Sequence, residues 1–144
     1  MTYAVQVTFD CSDVKRLSQF YAAALHYKPM DPPAGFATWE AALEAWGVPR
    51  EEWDDGAHIV DPERKGPPIY FQRMDTSKPA KNRLHLDVTA SGGRSVPLEG
   101  RRKRIDAEAE RLVGLGATCQ YVLDEGDHYS VTLTDPEGNE FCLN

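Results

Sequence analysis

Two pairs of reactive side chains stand at spacings of two residues in the second half of the chain. His85 and Asp87 alternate within the segment RLHLDV. Glu140 and Cys142 alternate within the closing segment EFCL. Because side chains two apart on a strand share a face, each pair should project to one side of its sheet. Imidazole, thiolate and carboxylate groups bind metals or transfer protons, so these four residues are the first candidates for chemistry.

The first half of the chain offers amides and hydroxyls at comparable spacings. Gln6 and Thr8 alternate in AVQVTFD, and Tyr70 and Gln72 alternate in PPIYFQRM. Lys and Arg, which are common on solvent-facing strand surfaces, are absent from these four positions and from the four of the second half. We therefore expect the polar faces to line a binding cavity, although polar outer faces also occur in ordinary antiparallel sheets.

Both halves show the same order of predicted elements: a strand, a helix and then further strands. In the first half, alternation predicts a strand at residues 4–10, and the segment VKRLSQFYAAAL predicts a helix with an N-cap at Ser12 or Asp13. A short helix in TWEAALEAWG and a hairpin of AHIVDPERKG with PPIYFQRM should follow. In the second half we expect a strand in RLHLDV, a helix near residues 101–114, and strands in TCQYVLD, HYSVTLT and EFCL, the last preceded by a DPEGN turn.

The apolar partners of the polar strand residues should lie beneath the helices. On the strands these partners are Val5, Val7 and Phe9, then Ile69 and Phe71, then Leu84, Leu86 and Val88, and finally Phe141 and Leu143. On the helices the matching apolar stripes are Val14, Leu17, Tyr21 and Leu25, and Ile105, Ala109, Leu112 and Val113.

Composition favours a soluble globular domain. The chain has 144 residues, of which 41% are hydrophobic and 27% are charged. Its formal net charge of −7 argues against nucleic acid as a partner, and we interpret the basic run Arg101–Arg104 as a solvated helix face. No segment approaches the ~18 apolar residues of a membrane span, and the amino terminus does not resemble a signal peptide. Three cysteines without CxxC spacing indicate a reducing cytoplasm.

With these segments in place, the chain resembles the vicinal-oxygen-chelate superfamily, which contains glyoxalases, bleomycin-resistance proteins and ring-cleaving dioxygenases. The resemblance is greatest to its glyoxalase-like subgroup and rests on VTFDCSDVKRLSQFYAAAL, KNRLHLDV, GLGA and DPEGNEFCL. It implies one α+β domain over residues 1–144, built of two βαβββ modules at about 3–74 and 82–144. The modules should pair into a U-shaped, mostly antiparallel cup with helices on its outer face, in a homodimer.

The resemblance also implies where a metal would bind. Enzymes of the superfamily usually place ligands at four cup-facing positions, which here hold Gln6, Gln72, His85 and Cys142. The usual opening histidine is a glutamine, and the usual closing carboxylate is a thiol, with Glu140 one pleat away. We therefore expect no complete metal site. Any ion held by these five residues should be zinc or nickel, which accept imidazole and thiolate.

Two functions remain open from the sequence, beside a third in which the fold has no ligand. The first is a cup that binds a small aromatic or oxygenated molecule through Gln6, Thr8, Tyr70, Gln72, His85, Asp87 and Cys142. The alternative is a metal-dependent lyase or isomerase of the glyoxalase type, acting through an enolate-like intermediate with Glu140 as the base. Trp39, Trp46 and Trp53 are interpreted as core or lid packing, although an aromatic box for a cation would need this residue type.

Overall fold

The chain forms two compact α+β units that divide between Ser77 and Lys78. The structure is a computed structural model, and it describes residues 4, 6–78, 80–82 and 84–144. Each unit has the element order βαβββ and one four-stranded sheet, with a short additional helix and a 3₁₀ turn in the first unit. In each sheet one strand pair is parallel and the other two pairs are antiparallel. No helix in the described parts of the chain is long and apolar enough to cross a membrane.

The sheet of the first unit has the strand order β1-β4-β3-β2. Its elements are β1 (Val7–Cys11), α1 (Val14–Leu25), β2 (Lys28–Pro29), α2 (Trp39–Ala45), a 3₁₀ turn (Arg50–Glu52), β3 (Gly56–Val60) and β4 (Ile69–Arg73). The predicted hairpin is the antiparallel pair of β3 and β4. The two-residue strand β2 was not predicted from the sequence, because so short a segment has no alternation to reveal it.

Aromatic packing between α1 and the sheet forms the core of the first unit. The Phe9 ring lies 4.6 Å from that of Tyr21 and 5.5 Å from that of Phe71. Tyr21 and Phe71 are at most 1% exposed. The helix begins as predicted, because the Asp13 carboxylate accepts the backbone N–H of Arg16 at 2.9 Å. Val5, which was predicted to share this face, lies outside the described residues.

The sheet of the second unit has the strand order β5-β8-β7-β6. Its elements are β5 (Leu86–Val88), α3 (Leu98–Gly114), β6 (Thr118–Glu125), β7 (His128–Thr134) and β8 (Glu140–Leu143). Ile105 and Leu112 of α3 are buried, as are Phe141 and Leu143 of β8. Alternation therefore identified the buried face of the closing strand correctly.

The turn before β8 sets the register of that strand. The Asp135 carboxylate accepts the backbone N–H groups of Glu137 at 2.8 Å and Asn139 at 3.0 Å. Gly138 has φ +85°, which an L side chain rarely adopts. The antiparallel pair Thr134 and Glu140 follows directly, so Cys142 lies opposite Thr132.

Two predicted core residues are instead on the surface. Leu84 is 73% exposed because β5 begins only at Leu86. Val113 is 47% exposed, since it lies one residue beyond buried Leu112 and therefore about 100° further around the helix.

The prediction of a solvated basic face is wrong for Arg101, which is buried. Its Nε donates to the Val96 carbonyl at 3.0 Å, and its Nη1 donates to the Asp127 carbonyl at 3.1 Å. Nη2 pairs with the Asp127 carboxylate. Arg101 therefore links the start of α3 to the β6–β7 turn through hydrogen bonds and an ion pair. Its neighbour Arg102 is half-buried and pairs with Asp124 of β6.

Candidate functional site

The open face of the first sheet carries the polar residues predicted for it. Thr8 and His58 are register partners of Tyr70, one on each side, and Asp10 is the partner of Gln72. The Gln72 amide donates to Asp10 at 2.8 Å. Gln6 is exposed and precedes β1. Some of the hydrogen-bonding groups on this face are therefore already bonded to each other.

A pocket of about 430 Å³ opens beside this face, within the first unit. Aromatic and aliphatic side chains form most of its wall, and two carboxylates complete it. The lining residues are Pro29, Met30, Trp39, Leu43, Val48, Glu52, Trp53, Asp55, Gly56, Ala57, His58 and Tyr70.

Two indole rings in the wall are held by backbone carbonyls. Trp39 Nε1 donates to the Met30 carbonyl at 2.8 Å, and Trp53 Nε1 donates to the Val48 carbonyl at 2.9 Å. The segment between β2 and β3 is fixed in this way against its own backbone. The indole N–H groups are consequently occupied and are not free to bond a ligand.

The stacked pair His58 and Tyr70 forms the side of the pocket nearest the sheet. Their ring centres are 4.4 Å apart at an interplanar angle of 27°. Burial lowers the pKa of His58 below its ordinary 6.5, so the imidazole is neutral at pH 7. A Cβ at Gly56 would lie 2.6 Å from the Tyr70 hydroxyl oxygen, so a larger residue there would displace the Tyr70 ring.

Sequence reasoning did not identify this pocket. Trp46 contacts Phe36 and Trp39 edge-on but is 56% exposed, so it is not the core residue that was expected, and Trp39 and Trp53 line the cavity. The three tryptophans within 15 residues of sequence were the available signal. How the segment folds back over β3 could not be read from spacing alone.

The second unit brings three candidate ligands together. Donor atoms of His85, Asp87 and Cys142 all lie within 4.8 Å of one another. Asp87 is the register partner of Cys142, and its carboxylate lies 3.1 Å from Nδ1 of His85. The Cys142 sulfur is 3.4 Å from the Thr132 hydroxyl.

The chemistry of these donors fits zinc better than magnesium. Zinc accepts imidazole, thiolate and carboxylate in tetrahedral sites, whereas magnesium prefers an octahedron of oxygen ligands. Zinc bonds of about 2.0–2.3 Å hold tetrahedral donors roughly 3.3–3.8 Å apart, a spacing that small side-chain movements of these three residues could reach. His85 and Asp87 are exposed, which leaves them room for such movements.

Glu140 has a different environment from the one a general base needs. Its carboxylate accepts the backbone N–H of Asn82 at 2.9 Å and lies 3.4 Å from Nζ of Lys78. The hydrogen bond from Asn82, with the charge of Lys78, lowers the pKa of Glu140. A carboxylate stabilised in this way is a weaker proton acceptor.

Comparison with known proteins agrees with the resemblance drawn from the sequence. A family model described as a glyoxalase-like domain matches residues 6–144. The chain belongs to the glyoxalase-like domain family. No curated protein matches the sequence.

Solved structures similar to this glyoxalase-like chain cover nearly all of it. A fosfomycin resistance protein, FosX, from Listeria monocytogenes is 12% identical, with a TM-score of 0.63 over 100% of this chain and 90% of that chain. The FosX structure is that of a point mutant, and it is complexed with Mn(II) and 1S,2S-dihydroxypropylphosphonic acid. A glyoxalase/bleomycin resistance protein/dioxygenase family enzyme from Burkholderia phytofirmans PsJN is 18% identical, with a TM-score of 0.59 over 96% and 94%. At these identities the likeness shows the fold alone.

Proposed function

We propose that this glyoxalase-like chain is a small-molecule-binding protein whose ligand occupies the aromatic pocket of the first unit. The observation that carries the proposal is the pocket itself. Its volume of about 430 Å³ falls within the range of ligand sites, and its apolar wall contains few polar groups. Of the residues predicted to bind the ligand, Tyr70 lines the pocket, and Thr8 and Gln72 lie beside Tyr70 on the same sheet face.

A thermal-shift screen of small aromatic compounds, followed by fluorescence titration, tests this proposal. A compound that binds the folded chain raises its melting temperature. Gly56→Ala should weaken binding, because the added methyl group displaces the Tyr70 ring. Gly114→Ala is the matched control, since its methyl group meets open space at the end of α3. Failure of every compound to bind, or equal binding by both variants, would overturn the proposal.

A second candidate function is a metal-dependent lyase or isomerase, and the cluster of His85, Asp87 and Cys142 favours it. When bound, a zinc ion there would supply a Lewis acid to an oxygen of the substrate. The lowered pKa of Glu140 weighs against that residue as the base. Elemental analysis decides the question: one zinc per chain, released by both His85→Ala and Cys142→Ala, is the expected result for this function. A metal-free chain after incubation with zinc would exclude it.

The assembly and location of the chain stay predictions. A homodimer and a cytoplasmic setting are expected from the sequence and its resemblance. Sedimentation of the purified chain tests the first, and imaging of a tagged chain in cells tests the second.

A further inference from the structure

We infer that the pocket of the first unit selects small organic cations, such as quaternary or protonated amines that carry an apolar group. This inference rests on the proposed function and specifies its ligand class. We call this cavity the cation pocket. Its wall includes four aromatic residues and two carboxylates, namely Trp39, Trp53, His58, Tyr70, Glu52 and Asp55.

Aromatic faces are the first feature of the cation pocket that suits a positive charge. The π-face of an aromatic ring carries partial negative charge, and tryptophan attracts cations most strongly among the aromatic residues. Trp53 already does so within the chain, because the guanidinium carbon of Arg50 lies 5.5 Å from its ring centre. Arg50 itself is not among the residues that line the pocket.

Two carboxylates give the pocket a negative potential. Glu52 and Asp55 are both in the wall, and the lining residues include no Lys or Arg within the part of the chain described. Asp55 is partly neutralised, since its Oδ1 lies 3.4 Å from Nη1 of Arg73. Glu52 forms no ion pair among the described residues. A ligand cation is the charge that would balance Glu52.

Hydrogen-bond donors are scarce in the same wall. The indole N–H groups of Trp39 and Trp53 are already bonded to backbone carbonyls. His58 is neutral because burial lowers its pKa. An anion would therefore lose its hydration without gaining charged partners. This disfavours ligands such as the phosphonate in the similar FosX structure and favours the opposite charge.

Three probes that share a benzene ring separate charge from shape. Benzyltrimethylammonium is the cation, and 2-methyl-1-phenylpropan-2-ol is a neutral analogue of similar shape, in which carbon replaces the nitrogen and a hydroxyl group replaces one methyl group. Phenylphosphonate is the anion. Isothermal titration of the full chain should give an affinity for the cation at least about tenfold above that for the alcohol. Phenylphosphonate should bind more weakly than either.

Matched charge variants assign the selectivity to the pocket. Glu51 and Glu52 are neighbours on the 3₁₀ turn, but only Glu52 lines the pocket. Glu52→Gln should weaken the cation several-fold and leave the alcohol unchanged, whereas Glu51→Gln, which alters net charge equally, should change neither. Trp53→Leu should weaken both ligands, with Trp46→Leu as its control.

The outcomes distinguish this inference from the proposed function. If the cation and the alcohol bind equally, and Trp53→Leu weakens both, the pocket binds ligands but the charge preference is overturned. Tighter binding of phenylphosphonate than of the cation also overturns the inference. If none of the three probes binds, the inference fails, whereas the proposed function fails only if the thermal-shift screen also yields no ligand. Retention of full cation affinity in Glu52→Gln would overturn the assignment of the charge preference to this pocket.

Discussion

Replacement of Phe71 by alanine tests the strand parity on which the pocket depends. Phe71 is 0% exposed, and its ring stacks against those of Phe9 at 5.5 Å and Tyr21 at 5.9 Å. Its register partners in β1 and β3 are Phe9 and Ala57. If Phe71 faces α1, its neighbour Gln72 must face the opposite side.

The cost of the substitution follows from this packing. Burial of a phenylalanine side chain stabilises the fold by about 1.5–3 kcal/mol, and each aromatic contact adds about 0.5–1.5 kcal/mol. Phe71→Ala should therefore lower the free energy of unfolding by about 3–5 kcal/mol, in line with other buried phenylalanines. Gln72→Ala removes only part-exposed contacts and should cost less than about 1 kcal/mol.

Urea unfolding followed by two signals provides the assay. All three tryptophans lie in residues 39–53, so fluorescence reports the first unit, while circular dichroism reports both units. Phe71→Ala should shift the fluorescence transition to a lower urea concentration. In a separate thermal unfolding experiment, the melting temperature of this variant should be about 10–20 °C below that of the wild type. Equal, small effects of Phe71→Ala and Gln72→Ala would refute the assignment of the two faces.

Three further predictions concern other parts of the chain. Arg101→Met should destabilise the chain by about 2–3 kcal/mol, because the carbonyls of Val96 and Asp127 lose their charged donor; a chemical denaturation midpoint equal to that of wild type would contradict this. The pKa of Tyr129 is raised to about 12, mainly by its hydrogen bond to Asp106, so Asp106→Asn should restore tyrosinate absorbance to lower pH in an ultraviolet titration, and an unchanged titration would contradict it. Because the Tyr129 pKa is about 12 in the folded chain and 10.0 in the unfolded chain, the stability that this hydroxyl contributes is complete below pH 10. It should be lost as the pH rises from 10 toward 12. Cation affinity should fall as pH drops below 6.5, because His58, which stacks on Tyr70 in the same pocket as Glu52 and Asp55, gains a positive charge. His58→Gln should flatten that dependence above the range where the carboxylates protonate.

Alternation and turn chemistry allowed much of the fold to be predicted. Ile69 and Phe71 are buried while Tyr70 and Gln72 are not, because a strand with one covered face must alternate. The last strand was equally predictable, since Asp135 and Gly138 define the turn that sets its register. These features depend on residues close together in the chain.

Features that depend on distant contacts were not predictable in the same way. Arg101 looked like a surface cation because the sequence does not reveal that Asp127, at the turn between β6 and β7, meets the start of α3. The pocket depends on Trp53 and Val48 folding back over β3, and local periodicity carries no information on that path. Parity placed His85 and Asp87 on one polar face, but it did not reveal that β5 and β8 are neighbours, which sets Asp87 opposite Cys142.

The indole N–H signals in a ¹⁵N-correlated NMR spectrum test binding in the pocket most directly. The chain has three tryptophans, two of which line the cavity while Trp46 does not. On titration with benzyltrimethylammonium, the signals of Trp39 and Trp53, assigned through single Trp→Phe variants, should move together and saturate, with a smaller change at Trp46. Saturating shifts at Trp46 alone, or no shift at any of the three, would contradict binding of the cation in this pocket.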